Sequence, residues 1–128
     1  MPSSPSLAEG RPTRPAGDVP GLAAAAAAAA RGVWLSELSA RRRGGARVAQ
    51  ARQLAVYLQH VALGASLSAC ARLFARDRAT IRHACARIED ARDDAGFDCG
   101  AARLEAALAA QRDMILSLIA ENPNEGEK

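Results

Sequence analysis

The sequence predicts an all-α protein. Hydrophobic residues make up 49% of the chain but aromatic residues only 3%, so the core must be built from Leu, Val, Ile and many Ala. Small side chains suit closely spaced helices and suit strands poorly. Apolar residues also recur every three or four positions, and residues able to cap or stop a helix punctuate the segments between them. At 128 residues the chain supports one modest core, too little for two full domains.

Residues 1–20 are rich in Pro, Ser and Gly and are expected to be a disordered tail. The folded domain is expected over residues 21–120, with residues 121–128 as an acidic tail. The first helix spans 21–31, where Leu22 and eight Ala are strong helix formers. Gly32 ends it by taking positive φ. Val33, Trp34, Leu35 and Leu38 form an apolar cluster, a short helix fits 35–40, and Trp34 is expected in or beside the core. Arg41, Arg42, Arg43, Gly44, Gly45 and Arg47 then read as a basic loop. The next helix spans about 47–63, with Val48, Ala51, Ala55, Leu58 and Val61 as its buried stripe and His60 on its surface. Tyr57 suits either half-buried packing or donation to a phosphate.

Gly64 is a stop signal, and Ser66 is the N-cap of a short helix ending near Phe74. Asp77 is the N-cap of a helix over 78–93, whose inner face is Ile81, Ala84, Cys85 and Ile88. Gly96 is expected to break that helix. Asp98 is expected to cap a final one over 99–120, with Leu104, Leu108, Met114, Ile115, Leu118 and Ile119 on one side.

Charge is segregated along the chain. Residues 31–87 hold eleven Arg against Glu37 and Asp77, a net +9, whereas residues 88–128 carry −6. A cationic middle with an anionic end suggests one face for a polyanion and another for solvent. Cys70, Cys85 and Cys99 are odd in number and widely spaced, which argues against a disulfide framework and against zinc. The apolar run Leu22–Ala30 is far shorter than the roughly 20 residues a spanning helix needs, so no membrane segment is expected, and a cytoplasmic protein is. No pair of shielded carboxylates occurs, no Ser or Cys has a recognisable base, and His83 has no acidic partner at i−4 or i+4. An enzyme is therefore not expected, and neither is a cofactor.

Two short helices joined by about three residues have helix-turn-helix spacing. The start of the second would enter a DNA major groove, about 12 Å wide, with its N–H groups and dipole toward the anionic surface. The residues there are Asp77, Arg78, Ala79 and Thr80, then Arg82 and His83. Arg fits guanine O6 and N7, Asp accepts from cytosine N4, and the methyl of Thr or Ala meets that of thymine.

Residues Arg52, Gln53, Ala55, Tyr57, Leu58, Ser66, Leu67, Phe74, Arg76, Asp77, Thr80, His83, Ala84, Cys85, Ile88 and Glu89 match a known pattern. With them, the stretch 47–93 resembles the C-terminal DNA-binding domain of the bacterial chromosomal replication initiator DnaA. Including the cluster before the basic loop, the resemblance covers roughly residues 22–93. It implies a helix-turn-helix fold of the Trp-repressor-like type and binding to short asymmetric duplex sites called DnaA boxes. It carries major-groove reading to Arg76, Asp77 and Thr80, with Arg78, Ala79, Arg82 and His83 beside them, and minor-groove contact to Arg52. Arg41, Arg42, Arg43 and Arg47 are the expected phosphate contacts. Where the family has His–Thr this chain has Arg78–Ala79; Ala75 stands where the family has Gly, and Arg82 where it has an apolar residue. No GxxxxGK[ST] phosphate loop occurs, so the chain reads as a free-standing DNA-binding domain, expected as a monomer because the sites are asymmetric. Expected partners are double-stranded DNA and, through the resemblance, the initiator or other replication proteins. A helical interaction adaptor using the last helix and acidic tail is the alternative.

Overall fold

The computed structural model describes residues 20–38 and 45–121. Residues 1–19 of the expected disordered segment, the loop residues Arg41, Arg42 and Arg43, and the acidic tail beyond Glu121 lie outside the described residues, whereas Pro20 begins the first helix. Six helices occupy the described part: α1 (Pro20–Arg31), α2 (Leu35–Leu38), α3 (Gly45–Val61), α4 (Leu67–Phe74), α5 (Arg78–Ala91) and α6 (Ala95–Glu121).

α3 is the axis of the fold, because each of the other five helices packs against it. The alanines explain how. Ala23 and Ala27 of α1, and Ala51 and Ala55 of α3, are fully buried, and their short side chains let the two backbones approach closely. Enclosure on all sides buries the unbroken run Leu54, Ala55, Val56, Tyr57, Leu58 and Gln59. The expected single stripe is therefore too narrow. Its last member, Val61, is 46% exposed, because it lies at the end of α3 where the surrounding helices give out. His60 is not free on the surface either: it is half-buried, and its Nδ1 lies 2.7 Å from the Ala65 carbonyl. A carbonyl can only accept, so Nδ1 carries the proton.

Gly32 takes φ +68° and ends α1, as its position suggested. Trp34 departs from expectation and is 77% exposed. It occupies the cap of α2: its N–H donates to Glu37 Oε1 (2.9 Å) and its carbonyl accepts from the Glu37 N–H (3.0 Å). This reciprocal pair fixes the backbone at the turn and leaves the indole outside. Of that apolar cluster, Leu38 is buried in the core and Val33 packs against it, half-buried.

The α4–α5 pair forms as read. Ser66 Oγ accepts from the Ala69 N–H (3.0 Å) to start α4, and Asp77 Oδ1 accepts from the Thr80 N–H (2.8 Å) to start α5. Between them Ala75 sits at φ 55°, ψ 47°, and the Arg76 N–H reaches back to the Ala71 carbonyl (3.1 Å). This left-handed position favours glycine, because a Cβ crowds the following carbonyl. The variant Ala75→Gly should therefore raise stability by about 1 kcal/mol. A thermal melt checks this, and an unchanged or lowered midpoint would show that the turn bears no strain.

The start of α6 corrects two expectations. Gly96 lies inside the helix, and the break falls earlier, at 92–94. Asp94 provides the cap, its Oδ2 accepting from the Phe97 N–H (2.9 Å). A glycine in a first turn interrupts little, because the N–H groups there have no partner within the helix. Asp98 is freed for another task. Arg92 Nε meets Asp98 Oδ1 (2.6 Å), and Nη1 meets both Glu105 Oε2 (2.6 Å) and the Tyr57 hydroxyl (2.8 Å). The guanidinium also stacks over the Tyr57 ring, 5.9 Å from its centroid. These contacts pin α6 to α3 and give Tyr57 its structural role. They also raise the Arg92 pKa, the hydrogen bond it donates to Asp98 foremost. Of the α6 apolar residues, Leu108 is buried and Leu104 half-buried, whereas Met114, Ile115, Leu118 and Ile119 are exposed.

Candidate nucleic-acid interface

The turn Ala75–Arg76–Asp77 sets the N-terminus of α5 at the surface. Ile81, Ala84, Cys85 and Ile88 anchor one side of α5 in the core. The opposite side presents Asp77, Arg78, Ala79, Thr80, Arg82 and His83, all exposed. Neither Arg78 nor Arg82 takes part in a hydrogen bond or ion pair among the described residues. Asp77 is held ionised below the usual carboxylate range, mainly by the backbone N–H of Thr80.

Arg76 is half-buried and already engaged. Its Nη1 donates to the carbonyls of Phe74 (3.2 Å) and Ala75 (3.3 Å). A cation there complements the negative end of α4. Arg52, on α3, donates from Nε to the Leu38 carbonyl (3.0 Å), and its Nη2 is buried with no protein partner. Both guanidinium groups line one cavity with Thr80 and His83. Burial, and then the charge of Arg76, lower the Arg52 pKa. None of the ion pairs among the described residues involves Arg52 or Arg76. Two like charges thus share a pocket whose lining contains no carboxylate, an arrangement that an incoming anion relieves.

The positive end of the α5 dipole adds to this field. Arg47 is exposed on the first turn of α3. The structure therefore brings Arg52, Arg76, Thr80 and His83 together, places Arg78, Ala79 and Arg82 on the adjoining outer surface, and describes Arg47 separately on α3. Gln53 carries no role in the resemblance, yet it lines the same cavity as Arg52. Its place beside Arg52 in the matched pattern is the signal for it. Cys70 and Cys85 are buried, and burial pushes the Cys85 thiol pKa up, consistent with packing. Among the described residues no group of His, Cys, Asp or Glu could hold a metal ion. No helix among them is long and apolar enough to cross a membrane.

The family described as bacterial DnaA protein helix-turn-helix matches residues 25–88, half of the chain. The chain belongs to this family. Neither the curated proteins nor the solved structures give a match. The matched span runs from within α1 to Ile88 of α5, so the DnaA-type region includes α2, α3, α4 and the exposed tip of α5, while α6 lies beyond it.

Proposed function

We propose that this DnaA-type protein binds double-stranded DNA site-specifically, at sequences related to DnaA boxes, and regulates replication initiation or transcription. The observation that carries the reading is the Arg52–Arg76 cavity beside an exposed, cationic helix tip. In this reading Arg78, Ala79, Thr80 and Arg82 face the major groove, with Asp77 offering the carboxylate oxygen not used for capping. His83 and Arg47 contact phosphates. Arg52 serves the minor groove side: through the Leu38 carbonyl it holds the chain three residues before Arg41, at the root of the Arg41–Arg43 segment. Arg76 supports the turn and supplies charge.

The residues that differ from the family pattern set base preference. Arg78 brings a long fork that suits guanine, and Ala79 has a methyl group without a hydroxyl. Selection of bound duplexes from a random pool should give one motif for the parent protein. The double variant R78H/A79T should shift that motif toward the usual DnaA box. Recovery of the same motif from both proteins would remove base reading from these two positions. Recovery of no motif, with binding that weakens little as salt rises, would instead favour an adaptor role.

A further inference from the structure

We infer that the protein carries a second phosphate-binding notch, formed by Arg31, Gln50 and Arg87, which grips the DNA backbone outside the groove that the α5 tip enters. The inference rests on the duplex-binding reading and adds to it residues from α1.

Arg31 is the last residue of α1, and its Nη2 donates to Gln50 Oε1 on α3 (2.7 Å). That bond holds the guanidinium in one orientation. Its Nε is buried and has no partner in the protein. A buried donor left in this state is unfavourable, and an acceptor in the notch relieves it. Arg87, exposed on α5, lines the same cavity of about 180 Å³, and no acidic side chain lines it. Neither arginine is in an ion pair among the described residues. A rigidly held guanidinium opposite a second, free one is suited to a phosphate, whose oxygens accept from both.

The position of the notch distinguishes a backbone contact from a base contact. Residues 80, 83 and 87 follow one another at spacings of three and four, so they share a face of α5. Arg87 lies nine residues beyond Arg78, about 13 Å along the axis at 1.5 Å per residue. The major groove is about 8.5 Å deep. A helix that enters by its N-terminus therefore has Arg78 at the bases and Arg87 level with the flanking phosphates. Gln53 lines both this notch and the Arg52–Arg76 cavity, so the two adjoin along one path beside α5. A phosphodiester fits that path and carries no base information, so the notch adds affinity and register without altering sequence preference.

The test is a titration of the full chain with one fixed duplex over a range of salt concentrations. The parent is compared with R31Q, R87Q and the double variant, each checked for folding by its melting curve. R87Q alters an exposed side chain and keeps the test valid even if R31Q fails to fold. The expected result is a 3- to 10-fold loss of affinity for each single variant at low salt, roughly one phosphate contact. The slope of log K against log salt should fall by about one, and the double variant should lose little more than either single one, because both side chains serve one phosphate. Duplexes neutralised one phosphate at a time by methylphosphonate should identify a position that weakens the parent but not the double variant. If the parent binds and R87Q retains both affinity and slope, the notch is overturned while duplex binding stands. If the folded parent binds no duplex at low salt, both readings fall.

Discussion

Replacing Arg78 and Arg82 together with alanine should weaken duplex binding on the order of 30-fold at moderate salt, with the melting temperature unchanged. Both side chains are exposed, and neither has a hydrogen-bond or ion-pair partner among the described residues, so the fold loses no contact with them. Each cation brought against DNA releases counterions, and the salt slope should fall by about two. Arg76 is a poorer subject for this experiment. Its guanidinium holds the Phe74 and Ala75 carbonyls, so its removal mixes damage to the turn with loss of charge. Fluorescence anisotropy with a labelled duplex reads the affinity, and circular dichroism reads the fold. A double variant that binds like the parent would show that the α5 tip does not meet DNA, whatever else the protein does.

The tip was legible in the sequence because its signals are local. Ser66 and Asp77 each accept from an N–H three residues ahead, so the α4–α5 pair is written within one stretch of chain. The same locality misplaced other elements. By residue type Gly96 reads as a break and Asp98 as a cap, whereas Asp94 captures the Phe97 N–H and Arg92 captures Asp98. Trp34 is expected in or beside the core, but the cap geometry of α2 fixes its backbone with the side chain outward. The interface shows the same division. The exposure of Arg78 and Arg82 follows from the period of α5. The pairing of Arg31 with Gln50 joins residues 19 apart, and that of Arg92 with Tyr57 joins residues 35 apart, and no spacing rule links either pair. Arg52 was legible as a functional arginine only through the resemblance. Its bond to the Leu38 carbonyl and its shared cavity with Arg76 are tertiary facts.

The largest effect on stability is expected at Leu58, and Val61 is its control. Both belong to the apolar stripe read from the α3 sequence, three residues apart, yet Leu58 is fully buried and Val61 is 46% exposed. Leu58→Ala removes three carbons from a site enclosed by helices on every side and should cost about 2–5 kcal/mol, as the loss of burial and the residual cavity add. Val61→Ala removes two carbons at a site partly open to water and should cost less than about 1 kcal/mol. Chemical denaturation of both variants measures the difference. Near-equal costs would mean that α3 is a surface helix with one buried stripe rather than the enclosed axis of the domain. In that case the Arg52–Arg76 cavity would lose its basis, since Arg52 extends from α3 and Arg76 meets it from the turn before α5. The burial of Leu58 and the charge at the interface are thus linked. An α3 held by its neighbours fixes Arg52 beside a second cation, and that unrelieved repulsion favours an anion at this surface.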